Sequence, residues 1–150
     1  LASFRFVESF KMLAARVEYH MSKINGKILV VTSVCENEGK SSVAGNLAIT
    51  LAKKGKRVIL IDGDIRCPAQ YLLLGMSPKK ENELGEFLNG RTGANNILLN
   101  TERKRLGFIG GKVSYSASTE MLGNRQLPVL IEACSKIVDY VIYRYPHHLE

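Results

Sequence analysis

Ile28–Ser42, ILVVTSVCENEGKSS, is the stretch that narrows the fold most sharply. Four apolar residues, Ile28 to Val31, read as a buried strand that stops at Thr32-Ser33. A polar loop follows and closes in Gly39-Lys40-Ser41-Ser42 at the start of an apolar-periodic helix. Strand, loop and helix start in that order, ending in GK[ST], match a phosphate-binding loop. The chemistry needs these residue types. Backbone N–H groups of about Asn37–Ser42, with Glu38 among them, turn inward, and the helix adds its positive dipole end. Gly39 lets the backbone lie against phosphate, Lys40 reaches the β- and γ-phosphates, and the Ser41 hydroxyl suits Mg²⁺. The full pattern has glycine where this chain has Val34, so the plain alternative is an ordinary strand-to-helix turn. The strand before the loop and the amphipathic helix after it favour nucleotide binding.

The 150 residues suit one domain with a core of its own. No apolar run approaches the ~18 residues of a membrane-spanning helix, and the first residues lack a signal-peptide core. Cys35, Cys67 and Cys134 show no C-x-x-C spacing, which points to a reducing, cytoplasmic setting without disulfide frame or zinc site. Cys35 lies in the loop, where it is either an oxidisable thiol or a small filler. The net charge of +7 suits anionic partners or simply a solvated basic surface. No basic cluster interleaved with aromatics appears, so nucleic acid is not expected.

Phe6, Phe10, Leu13, Val17 and Met21 recur at helical steps over 4–22, and Asn25-Gly26 reads as the stop. The loop helix runs over Lys40–Lys54, with Val43, Leu47 and Leu51 as one stripe and Ala44, Ala48 and Ala52 as a second. Gly55 after Lys53-Lys54 fits a left-handed cap. Val58–Ile61 reads as a buried parallel strand, ending in Asp62-Gly63-Asp64. Two carboxylates at that strand end are placed for metal or base work; an Asp/Gly turn is the bland reading. Short helices are expected over 68–75 and 83–89, stopped by Gly75 and Gly90. Lys79–Glu83 reads as a solvated connector and Asn95–Leu99 as a helical turn. Leu106–Ile109 is a strand, Arg125–Lys136 a helix, and Val138–Tyr143 a fourth strand. This alternation predicts an α/β fold, a mostly parallel sheet with helices on both faces and right-handed crossovers.

The assembled pattern resembles the cytoplasmic domain of bacterial protein-tyrosine kinases of capsule and exopolysaccharide synthesis, the BY-kinases. These are a branch of the P-loop ATPases that includes the cell-division and plasmid-partition ATPases. VTSVCENEGKSSVAGNLAITLAKKGKRV is similar to the family's Walker A strand, loop and helix, and VILIDGDIRCP to its second acidic motif, Walker A′. STEMLGNRQLPVLIEACSKIVDYVIY resembles the run leading to Walker B. VESFKMLAARVEY resembles a helix carrying an E-x-x-R-x-x-R assembly motif. The resemblance covers nearly all of the chain. It implies one P-loop NTPase domain over 1–150, with 1–26 an N-terminal assembly helix and turn.

The resemblance implies an ATP-dependent tyrosine autokinase that regulates polysaccharide synthesis and export at the inner face of the membrane. A membrane activator or polysaccharide co-polymerase would be its partner, with ring-type self-association. Lys40 and Ser41 would hold ATP and Mg²⁺, Asp64 would help hold Mg²⁺, and Asp62 would be the base or orienter for a tyrosine hydroxyl. Three positions depart from the family pattern. Val34 replaces a small residue. Arg144-Tyr145-Pro146-His147 stands where Asp-Thr-Pro-Pro is expected, and an arginine cannot ligate Mg²⁺. The assembly motif reads Glu8, Lys11, Ala14, and Ala14 weakens self-association. The family also continues into further strands and a tyrosine-rich tail, so a C-terminally truncated sheet is expected, and Tyr140, Tyr143 and Tyr145 are not read as that tail. The departures count against activity and raise an alternative, a catalytically impaired nucleotide-binding scaffold or regulator of the same complex. A partition-type ATPase is the third reading, disfavoured because Glu36 and Asn37 stand where that branch carries a second lysine.

Overall fold

In a computed structural model of the chain, residues 4–32, 43–116 and 124–145 are described. Helix α1 (Phe4–Ile24) leads into strand β1 (Ile28–Val31). Helix α2 (Val43–Lys53), strand β2 (Val58–Asp62) and the short helices α3 (Gln70–Leu73) and α4 (Leu84–Leu88) follow. Strands β3 (Leu99–Asn100) and β4 (Leu106–Ile109), helix α5 (Gln126–Ser135) and strand β5 (Tyr140–Arg144) complete the order. The sheet runs β1-β5-β2-β4-β3, parallel except for the antiparallel β3 edge.

Side chains alternate across the sheet, as the strand pleat requires. Leu60, Phe108 and Ile142 point to one face, where they meet Ala14 of α1 and Leu47, Ala48 and Leu51 of α2. Ile59, Ile61, Ile109, Val141 and Tyr143 point to the other, against Leu84 of α4 and Leu127, Leu130 and Cys134 of α5. The helices divide between the faces because β1-to-β2 and β4-to-β5 step in opposite directions along the sheet, and same-handed crossovers then fall on opposite sides. All five residues of β2 are buried, which explains its unbroken apolar run.

The helix ends follow local chemistry. Asn25 has φ 53°, and Gly26 N–H donates to Met21 O at 2.9 Å. Gly55 has φ 94°, with Lys56 N–H donating to Leu51 O and its own N–H to Ala52 O. This is the paired bonding of a left-handed helix cap. Pro128 falls in the first turn of α5, where its missing N–H costs no helical bond.

Four expectations need correction. Val43 is 51% exposed. The buried arc of α2 centres on Ala44 and Ala48, and one residue of helix advances about 100°. Asn95–Leu99 is not one helical turn: a 3₁₀ turn covers Ala94–Asn96, and Leu99 already pairs with Phe108 in β3. The strand near 140 is therefore the fifth, spanning Tyr140–Arg144. Glu83 is not part of a solvated connector. It is 2% exposed, bridges to Gly110, and its Oε2 accepts Lys112 N–H at 3.1 Å.

In α1, Glu8 and Lys11 pair with each other at 3.2 Å on the surface. Ala14 is fully buried against α2, so this third position of the assembly motif faces the domain's own interior. Among the described residues, no helix is long and apolar enough to cross a membrane.

Candidate functional site

The carboxyl ends of β1, β5 and β2 lie side by side. Val31 is paired with Arg144, and Arg144 with Asp62, so three strand ends finish level with one another. Tyr145 N–H donates to Val31 O and Gly63 N–H to Arg144 O, both at 2.9 Å. The chain leaves β1 for the GKSS loop at this edge. Val34, Cys35 and the residues Asn37, Glu38, Gly39, Lys40, Ser41 and Ser42 lie outside the described residues.

Asp62 is 1% exposed and fully engaged. Its Oδ2 accepts the N–H groups of Ala69 at 3.0 Å and Gln70 at 3.1 Å. Its Oδ1 accepts Asp64 N–H at 3.2 Å and Arg144 Nη1 at 3.0 Å. Burial pushes the Asp62 carboxyl up from the usual range, while the Arg144 charge and the two backbone donors pull against it. Asp64, 6% exposed, accepts Cys67 N–H through Oδ1 at 3.2 Å. Its Oδ2 lies 3.5 Å from Arg144 Nη1. That same Nη1 donates to Cys67 O at 3.4 Å. One guanidinium thus faces both expected site carboxylates.

Gly63 between them has no room for a side chain. A Cβ there would sit 2.7 Å from Arg144 O and equally close to Cζ of Tyr143. Tyr143 is 6% exposed, and burial pushes its hydroxyl up to about 12.

A second polar cluster holds the loop after Asp64. Glu86, 4% exposed, accepts Arg91 Nε at 2.9 Å, Arg91 Nη2 at 3.1 Å and the Tyr115 hydroxyl at 2.7 Å. Tyr115 N–H in turn donates to Ile65 O at 2.8 Å, and Ser114 Oγ to Arg66 O at 2.6 Å. The Arg91 and Tyr115 bonds hold the Glu86 carboxyl down at about 2.

Sequence reasoning placed Asp62 and Asp64 but not their partners. The signal for Arg144 was a cation ending one apolar strand while a carboxylate ends another. Only the strand order sets them opposite. Glu83, Glu86 and Tyr115 gave no motif: Glu83 is held by Lys112 and Glu86 meets Tyr115 only through contacts remote in sequence, while the Glu86–Arg91 pair, five residues apart, fits no helical spacing.

A divalent cation takes carboxylate oxygens with open lone-pair positions. Both oxygens of Asp62 are used twice, one oxygen of Asp64 is used, and the other faces a guanidinium. Among the described residues, no three His, Cys, Asp or Glu side chains group to hold a metal ion. As they stand, these residues do not fit Mg²⁺.

The model of the CobQ/CobB/MinD/ParA nucleotide binding domain matches residues 29–147. The chain belongs to this family. Within it, the nucleotide-binding domain is similar to proteins named tyrosine-protein kinase. It is 29% identical to the tyrosine-protein kinase ptk of Acinetobacter johnsonii over 93% of this chain and 19% of that protein. It is 34% identical to the tyrosine-protein kinase CpsD of Streptococcus agalactiae, over 89% of this chain and 58% of that one. The solved kinase domain of the Escherichia coli tyrosine kinase ETK superposes with a TM-score of 0.84 at 25% identity. That match covers 95% of this chain and 55% of the solved one. The chain therefore spans between a fifth and three fifths of the curated relatives it matches. The mostly parallel sheet covered on both faces is the P-loop architecture expected from the sequence.

Proposed function

We propose that this chain is the ATP-binding domain of a protein-tyrosine kinase system that regulates capsular or exopolysaccharide synthesis and export. One observation carries the reading. Asp62 and Asp64 lie at the carboxyl edge of the parallel sheet, level with the end of the strand that leads into GKSS and separated from it only by β5. Ligands of open α/β sheets bind at that edge, where the strand order reverses. The likeness to tyrosine-protein kinases supplies the chemistry: phosphoryl transfer rests on positioning and charge neutralisation. Lys40 and the backbone of Asn37–Ser42 are the proposed phosphate ligands. A membrane-bound activator at the inner face of the membrane is the proposed partner, with self-association through the α1 region. The whole of 1–150 is proposed as one domain.

Arg144 favours a second reading, a nucleotide-binding regulator of the same complex with phosphoryl transfer impaired. Asp62 has no lone pair turned toward an incoming hydroxyl, since four N–H donors occupy it. A general base must reach the proton it removes.

Calorimetry with ATP and ADP, with Lys40→Ala as control, tests the common part. Micromolar binding that weakens at least about tenfold in the variant supports the phosphate loop, since a lost charge-assisted contact is worth roughly 1.5–3 kcal/mol. No binding at millimolar nucleotide overturns it. A phosphotyrosine blot after incubation with ATP separates the two readings: signal above the Lys40→Ala background selects the kinase.

A further inference from the structure

Arg144 brings a fixed positive charge to the place where a nucleotide site otherwise gathers a mobile one. We infer that its guanidinium stands in for the divalent cation at the strand ends, so that this domain takes the metal-free polyphosphate of a nucleotide. The inference rests on the nucleotide-binding reading above and deepens it.

Three observations support it. The first is charge. Nη1 lies 3.0 Å from Asp62 Oδ1 and 3.5 Å from Asp64 Oδ2, so the cation these carboxylates need is already present. A divalent ion entering there meets a like charge and carboxylate oxygens already committed to backbone donors. The second is anchorage. Arg144 is the last residue of β5, hydrogen-bonded between β1 and β2, and its carbonyl accepts Gly63 N–H. The guanidinium is thus held by the sheet, with its side chain 16% exposed. The third is capacity. Among the described residues, every Arg144 side-chain contact is made by Nη1. Nε and Nη2 meet no acceptor among the described residues, and a guanidinium matches phosphate oxygens in geometry and charge.

The test is calorimetry of ATP and ADP binding to the whole chain, once in millimolar MgCl₂ and once in EDTA. The expected affinities agree within about threefold, and Arg144→Gln weakens binding in EDTA by at least about tenfold. Circular dichroism checks that the variant folds. A wild-type measurement covers the case that it does not: Mn²⁺ titrated without nucleotide and followed by its paramagnetic resonance signal. Free Mn²⁺ throughout is the expected result. Mn²⁺ binding that Asp64→Asn abolishes overturns the inference, and so does nucleotide binding strengthened tenfold or more by Mg²⁺. Either outcome leaves the nucleotide-binding reading intact. Absence of nucleotide binding in both buffers overturns the two together.

Discussion

Burying a carboxylate without partners costs several kcal/mol, and Asp62, at 1% exposure, avoids that through three backbone N–H groups and Arg144. Glu86 solves the same problem with side chains: Arg91 grips both its oxygens, and Tyr115 adds a hydroxyl. The consequence for pH has a definite sign. The folded value of Glu86, about 2, lies below the ordinary 4.5. Its carboxylate therefore stabilises the fold fully above 4.5, and the contribution disappears as pH falls toward 2. Glu86→Gln is expected to flatten the fall of the urea midpoint across that window and to leave its slope near neutrality unchanged. Parallel midpoint curves for wild type and variant would show that the cluster does not carry acid sensitivity.

At the scale of single elements, the sequence was most legible where one local rule decided the outcome. β2 declared itself by an unbroken apolar run, and Gly55, Gly75 and Gly90 marked stops that have φ of 94°, 63° and 76°. Gly55 offers a clean test of such a stop, because a Cβ there would meet nothing within 4 Å. Any loss in Gly55→Ala then comes from backbone strain alone, about 1 kcal/mol by chemical denaturation. An unchanged midpoint would mean that the end of α2 adapts by leaving the left-handed region. Legibility failed where an element depends on a distant neighbour. β3 has two residues, too few to show alternation, and exists because β4 offers it an edge. Glu83 sits in a charged run yet is drawn inward by Gly110 and Lys112. The site divides in the same way: Asp62 and Asp64 were readable from their strand, whereas Arg144 became their partner only through register.

Across the whole molecule, strand order is the property that a linear reading could not supply. β1 and β2 follow one another in sequence but make no ladder together: β5 lies between them and bonds to both. Ile28 finds its partner Val141 more than a hundred residues later. Such long-range pairing makes loop closure expensive and sheet formation slow. Amide exchange followed during refolding is expected to show β1 and β5 gaining protection together, after the Schellman-capped α2. Early protection of β1 alone would contradict this order. On the ribosome, β1 and one side of β2 leave the exit tunnel as bare edges and stay so until β5 has been made. The edge where Asp62 meets Arg144 therefore forms only once β5 has been made, and a chain interrupted before β5 is left as sticky, unpaired strands without that edge.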